Sequence, residues 1–139
     1  MRLIAPTTAL LLASLLAPSA ATADCNHPAA ITVAHGAVES TVEADAPATT
    51  IDCYQLTAKS GQSIAVTIAG AKDDTVFAVF APGWRATCDA ADDCDINGEQ
   101  LSADEAKTWS DTAPATGAYL IVIDNSRSDS SYQLNVELH

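Results

Sequence analysis

An acidic stretch in the second half of the sequence carries oxygen ligands from which a metal site could be built. Asp93, Asp95 and Asn97 alternate and are followed by Gly98, as in D-x-[DN]-x-[DN]-G, and Asp104 stands at the twelfth place. Calcium takes about six to eight oxygens, which alternate side chains supply in a tight loop while glycine permits the bend. The other interpretation, which we favour, is a solvated acidic loop, because the twelfth residue is not the longer Glu and no helix pattern flanks the loop.

Hydrolytic catalysis has little basis in the sequence. The three histidines, His27, His35 and His139, are far apart along the chain, and no G-x-S-x-G nucleophile motif is present. Every cysteine is better used in a disulfide than as a nucleophile. Acidic residues are abundant, but a glycosidase needs two carboxylates at a defined separation across a cleft, which a sequence does not show. We therefore expect a protein that is not an enzyme.

The first 23 residues have the pattern of an export signal. Arg2 gives a basic start, residues 10–17 give an apolar centre, and residues 21–23 form a small-x-small cleavage site. The apolar centre is too short to span a bilayer, which takes about 20 residues. We expect residues 24–139 to form one domain that is periplasmic or secreted, with no membrane association after the leader is removed.

The cysteines fit this destination, because an exported chain meets an oxidising environment in which two disulfides are the default. Four cysteines allow three connectivities. Cys88 and Cys94 are close together in a polar stretch, so we pair them, which leaves Cys25 with Cys53. Zinc is the alternative use of these cysteines, but the sequence has no C-x-x-C pair and no histidine at ligand spacing.

The chain is strongly acidic. Its 6 basic and 18 acidic residues give a net charge of −12, and loss of Arg2 with the leader leaves 5 against 18, or −13. Such a field repels nucleic acid and anionic lipid and attracts cationic proteins or metal ions. We expect a cationic protein partner; the alternative, that the charge only keeps an exported protein soluble, stays open.

Short β-strands must position these residues. In residues 132–138 apolar and polar side chains alternate, which predicts a strand with one buried face, and the apolar run at 119–123 predicts a strand buried on both faces. We interpret residues 113–138 as the central hairpin of a sandwich. The remaining strands are expected at 31–34, 37–44, 50–58, 63–69 and 75–81, with a last one starting at Trp109.

Turns and one long irregular stretch complete the expected layout. Residues 59–62, with Gly61, are interpreted as the turn of a second hairpin. Residues 84–111 largely lack a strand pattern and are interpreted as one long acidic loop that a disulfide closes. Short strands with turns every ~8–12 residues predict an all-β, antiparallel, jelly-roll-like β-sandwich of about seven to eight strands.

One loop aromatic is a further candidate for contact with a partner. Trp84 follows Pro82 and Gly83 and precedes Arg85. A loop tryptophan beside an arginine has the composition of a binding hot spot. The alternative is a side chain that covers the end of the sandwich.

Several short segments resemble the bacterial pre-peptidase C-terminal (PPC) domain, and their layout is similar to that of the small periplasmic inhibitors of g-type lysozyme. The resemblance covers about residues 50–138 and implies a β-sandwich. The segments that carry it are residues 54–66, 74–77, 81–83, 114–119 and 131–134.

The resemblance to the inhibitors also implies a site. They place a loop of S-G-x-Y type and an arginine of the next turn into the lysozyme cleft, which here corresponds to Thr116, Gly117, Tyr119 and Arg127. Threonine keeps the hydroxyl of serine, and arginine is a forked donor to carboxylates. The expected function is therefore inhibition of a lysozyme, with the g-type favoured, by insertion of a surface loop into the enzyme.

A second function stays open on the same resemblance. A PPC-like secreted binding or accessory module would take a protein or polysaccharide ligand, and calcium would stabilise it. Its calcium ligands would be Asp93, Asp95, Asn97 and Asp104. No other cofactor is expected.

Overall fold

The computed structural model describes residues 25–34, 37–46, 51–69, 75–90, 93–124 and 130–139. Within them the chain forms ten β-strands, and none of these residues is helical, so no described segment is a helix that could cross a membrane. The predicted leader, residues 1–23, and His35 lie outside the described residues. The strands are β1 (Ala29–Ile31), β2 (Glu39–Ala46), β3 (Ile51–Ala58), β4 (Ser63–Ala69), β5 (Val76–Phe80), β6 (Arg85–Ala90), β7 (Asp93–Asn97), β8 (Thr108–Thr112), β9 (Gly117–Asp124) and β10 (Ser130–Leu138).

Two four-stranded sheets and a separate hairpin make up the fold. Sheet I has the strand order β1-β3-β9-β5, sheet II has the order β2-β10-β4-β8, and β6 pairs with β7 alone. All pairings are antiparallel except that of β1 with β3. The predicted all-β, antiparallel sandwich is confirmed, with more strands than the sequence suggested.

The two predicted hairpins are wrong. Strand β9 pairs with β3 and β5, whereas β10 pairs with β2 and β4, so the two lie in different sheets. Strands β3 and β4 are likewise divided between the sheets, and the turn at 59–62 crosses from one sheet to the other. Alternation of apolar side chains shows which face of a strand is buried but not which neighbour receives its hydrogen bonds.

The prediction of a long irregular loop at 84–111 is also wrong, because this stretch contains β6 and β7; the strand expected to start at Trp109 is present as β8. The inward side chains of β6 and β7 are few and mostly small, namely Ala86, Cys88, Cys94 and Ile96. Aspartates lie between them and hide the period of two from a search for large apolar residues.

The main core lies between the two sheets. Sheet I contributes Leu56 and Ile121, and sheet II contributes Val66 and Leu134, each at most 1% exposed. Burying one such side chain contributes about 1.5–3 kcal/mol. This is the core that the alternating strands predicted.

A polar link crosses the same core near the start of β3. The hydroxyl oxygens of Tyr54 and Tyr132 are 2.7 Å apart, and Tyr132 Oη donates a 2.7 Å hydrogen bond to Asp52 Oδ2. Burial raises the pKa of the Asp52 carboxyl, and the hydrogen bond from Tyr132 opposes that shift. Burial is likewise the main cause that raises the pKa of both tyrosines.

A second, smaller core lies on the other face of sheet I. Cys53, Phe80 and Leu120 are buried there beneath the β6–β7 hairpin. Both expected disulfides are present, Cys25–Cys53 and Cys88–Cys94, with Cα atoms 4.9 and 4.1 Å apart. The hairpin therefore adds a third layer to the sandwich, and sheet I is buried on both faces, as the apolar run in β9 predicted.

Candidate functional site

Three chain segments meet where β9 begins, and we call them together the loop end: residues 59–62, 81–85 and 113–117. Two of them turn at a glycine with a positive φ, +90° at Gly61 and +98° at Gly83. Glycine adopts this conformation without the steric cost that a Cβ brings. The sequence thus places tight turns at the same end of sheet I.

Backbone hydrogen bonds join residues 59–62 to residues 113–117. Gly61 N donates to Ala113 O at 2.9 Å, and Ala113 N donates to Gln62 O at 2.7 Å. Within the first turn, Lys59 N donates to Gln62 Oε1 at 2.7 Å. These bonds hold the two segments in one fixed arrangement.

Thr116 is exposed at the tip of this arrangement. Its Oγ1 accepts a 2.9 Å hydrogen bond from Ser60 N. A hydroxyl that accepts one hydrogen bond can still donate its own proton. Of the predicted partner-binding residues that the structure describes, Thr116 is the one with an exposed side chain.

The prediction that Tyr119 contacts a partner is corrected by its burial. The residue is 1% exposed and belongs to the core between the sheets. Its hydroxyl donates to Ala115 O at 2.6 Å and accepts from Ala115 N at 3.2 Å. Tyr119 therefore fixes the loop that precedes its own strand, and its ring is not available to another molecule.

Gly117 has a structural role that the resemblance alone did not show. Its φ is +152°, and a Cβ placed there would lie 2.9 Å from Pro82 Cβ and 3.1 Å from Pro82 Cγ. Real Cβ atoms do not approach carbon so closely. The bare glycine thus allows residues 113–117 to pack against residues 81–85.

Trp84 lies where residues 81–85 meet β9. The sequence left open whether it contacts a partner or covers the end of the sandwich. Its indole Nε1 donates to Ala118 O at 3.1 Å, and its ring packs in the second core. Gly98 lies against it, since a Cβ there would be 3.1 Å from Trp84 Cα. Trp84 therefore packs on the second core, and its contact with a partner stays a prediction.

Arg127 lies outside the described residues, so its part in the site stays a prediction. The described residues nearest to it in sequence are Asp124, which ends β9, and Ser130, which begins β10. Thr116 lies just before the start of β9, at the end opposite Asp124, and the eight residues of that strand span about 23 Å. The described residues therefore place Thr116 far from either flank of the Arg127 segment.

The structure does not bring the four predicted calcium ligands together. Asp93, Asp95 and Asn97 are exposed residues of β7, where alternate Cα atoms are about 6.6 Å apart, and Asp104 Oδ1 accepts a 2.7 Å hydrogen bond from Gln100 Nε2. An extended strand cannot wrap its alternate side chains around one ion as a tight loop does. Within the described ranges, the one group of three residues with ligand atoms close together is Cys25, Cys88 and Cys94, whose sulfurs are in disulfides.

Known proteins resemble this chain in their fold. No family model matches the sequence, and no curated protein matches it. The PPC resemblance therefore gains no support from family models. The class defined by the fold is a small β-sandwich of the kind found among periplasmic lysozyme inhibitors.

Three of the similar solved structures are PliG proteins, periplasmic inhibitors of g-type lysozyme. PliG of Aeromonas hydrophila is 25% identical, with a TM-score of 0.62 over 81% of this chain and 96% of its own. PliG of Salmonella Typhimurium is 18% identical, with a TM-score of 0.56 over 81% and 97%. A mutant of Escherichia coli PliG is 17% identical, with a TM-score of 0.55 over 81% of this chain and 97% of its own. The fold that the resemblance implied is confirmed.

Proposed function

We propose that this protein is an exported, non-catalytic inhibitor of a lysozyme, and that its partner is a g-type enzyme. The observation that carries the proposal is the similarity to Aeromonas hydrophila PliG, which takes in 96% of that inhibitor. Two further similar structures, from Salmonella Typhimurium and Escherichia coli, are also inhibitors of g-type lysozyme. The acidic charge of −12 suits a cationic enzyme as partner.

The loop end is the element that enters the enzyme cleft. Its supporting contacts are the Ser60–Thr116 and Gly61–Ala113 hydrogen bonds, the contact of Gly117 with Pro82 and the buried hydroxyl of Tyr119. A loop held before binding loses little conformational entropy when it binds, which raises affinity. Thr116 then offers a hydroxyl that can donate to a carboxylate or a sugar oxygen of the cleft.

Action outside the cytoplasm fits the rest of the chain. Residues 1–23 have the pattern of a cleaved leader, and the two disulfides form in oxidising compartments such as the periplasm. The similar structures come from periplasmic proteins. We place the mature protein in the periplasm, where it would meet a lysozyme that has crossed the outer membrane.

A panel of lysozymes tests the proposal. Purified residues 24–139 are mixed in molar excess with g-type, c-type and i-type lysozymes, and the lysis of a peptidoglycan suspension is followed. The expected result is loss of lysis by the g-type enzyme and full lysis by the other two. Full lysis by all three enzymes would contradict the proposal, and loss only with c-type or i-type enzyme would overturn the choice of partner.

A further inference from the structure

The loop end differs in charge from the rest of the chain. The protein has 18 acidic and 6 basic residues, yet residues 59–62, 81–85 and 113–117 contain no aspartate or glutamate. They do contain Lys59 and Arg85, two of the three basic residues that the structure describes. The third is Lys107. The three segments of the loop end thus form a part of the described surface that has basic residues and no acidic ones, and we call it the basic face.

Both cations are exposed and stand on segments that are bonded to the β9 entry. Lys59 precedes Ser60, which donates to Thr116, and Arg85 follows Trp84, which donates to Ala118. Neither cation forms a salt bridge with a carboxylate of the described residues. Their charges are therefore available to a partner.

Two acidic residues among those described lie beside this face along the bonded chain. Glu99 lies at one side, where its carbonyl accepts a 2.9 Å hydrogen bond from Ala81 N. Asp111 lies at the other, two residues before Ala113, with its carboxylate accepting from Thr112 N at 2.7 Å. A positive face with an acidic border fits into a negative cleft that has a positive rim.

We propose that Lys59 and Arg85 recognise carboxylates in the substrate cleft of the inhibited enzyme. This inference rests on the proposed function and names the chemistry of its contact. Glycosidases hold a pair of acidic residues across the cleft. Arginine reaches such a carboxylate with two parallel donors, and lysine reaches it as a point charge. Arg85 belongs to the β6–β7 hairpin, so this added layer of the fold contributes directly to binding.

Charge reversal at the two positions tests the inference against a matched control. The double variant Lys59→Glu/Arg85→Glu is compared with Lys107→Glu, which reverses the third described cation. Lys107 O accepts from Ile68 N near the end of β4, so it lies at the opposite end of sheet II from Ser63 and the loop end. Inhibition of g-type lysozyme is measured for each protein at low and high salt, and melting temperatures show that both variants fold.

The double variant is expected to raise the concentration needed for half-inhibition by at least about tenfold, because like charges meet across the contact. Lys107→Glu should change it by less than about twofold, and salt should weaken the wild type more than the double variant. Equal inhibition by the two variants, with the wild type active, would overturn this inference and leave the proposed function standing. A wild type that inhibits nothing would overturn both. If the double variant does not fold, the pair Lys59→Gln and Arg85→Gln, made singly, gives the same comparison.

Discussion

Ser60 N donates a hydrogen bond of 2.9 Å to Thr116 Oγ1, although the two residues are 56 positions apart in sequence. The bond connects the turn that crosses between the sheets with the loop that leads into β9. Both residues are exposed, so the bond organises the surface rather than the core. The loop that resembles the inhibitory loop of other proteins is therefore held by a partner that its own sequence motif does not contain.

Two substitutions of Thr116 separate the effect of this hydrogen bond from the effect of side-chain size. Thr116→Val keeps the shape and removes the acceptor, whereas Thr116→Ser keeps the acceptor. We expect Val to lower the free energy of unfolding by at most about 1 kcal/mol and to weaken lysozyme inhibition, because the loop loses its fixed position and its donor. Ser should inhibit like the wild type. Inhibition by the Val variant equal to that of the Ser variant would remove Thr116 from the contact.

Gly61 and Gly117 allow the cost of backbone strain to be separated from the cost of a steric clash. Both have a positive φ, but a Cβ at Gly61 would meet nothing within 4 Å, whereas one at Gly117 would lie 2.9 Å from Pro82 Cβ. Gly61→Ala should cost about 1 kcal/mol of backbone strain. Gly117→Ala should cost more, by about 1–3 kcal/mol, because the two segments are forced apart. Urea unfolding of both variants measures this difference, and equal costs would contradict the packing described here.

The polar link in the core predicts a pH dependence of stability. The pKa of Asp52 is raised above its ordinary value of 3.8, so the folded state binds the proton more tightly than the unfolded chain does. The stability that this adds is fully present below pH 3.8 and is lost as the pH rises through the folded-state pKa.

Asp52→Asn should remove that dependence, because an amide oxygen still accepts from Tyr132 and carries no charge. The difference in unfolding free energy between wild type and variant should therefore shift in favour of the variant as the pH rises from about 4 to about 8. Asp111→Asn, at an exposed carboxylate, serves as the control. A difference that stays constant across this range would show that Asp52 is not the group responsible.

Calcium should leave the melting temperature unchanged. Asp93, Asp95 and Asn97 lie along a strand rather than around a common centre, and Asp104 is engaged with Gln100. Thermal unfolding in calcium and in a chelator is the measurement, with Asp95→Ala as a second protein. A rise in melting temperature with calcium that Asp95→Ala abolishes would restore the loop predicted from the sequence.

Much of the fold could be predicted from sequence because large apolar side chains report burial directly. Strand β4 has the predicted bounds, and the double-sided burial of β9 was visible in its unbroken apolar run. The two disulfides followed from the spacing of the cysteines and from the expected export. These features depend on local residue types, which the sequence contains.

Pairing between strands could not be predicted in the same way. Whether β10 follows β9 in one sheet or crosses to the other depends on contacts between residues far apart in the chain, such as Leu134 with Val42 and Ile68. The β6–β7 hairpin escaped notice since its inward residues include Ala86 and Cys88, which are too small to stand out among aspartates.

The candidate site was predicted in part. The motif pointed to the loop that we propose as the contact, and Thr116 is exposed there, but Tyr119 is buried. A strand-initiating tyrosine two residues after a glycine fits a packing role and a binding role equally well in sequence. Lys59 and Arg85 were not singled out as a pair, since they are 26 positions apart and only the fold brings their segments to one end.

The central claim is that the loop end blocks a g-type lysozyme, and a titration of that enzyme tests it most directly. Residual lysis is measured while the ratio of purified protein to lysozyme is raised from zero to excess, with the Thr116→Val variant in parallel. The claim predicts that lysis falls to near zero close to an equimolar ratio for the wild type and that the variant requires more protein. Lysis that stays complete at excess wild-type protein would contradict it.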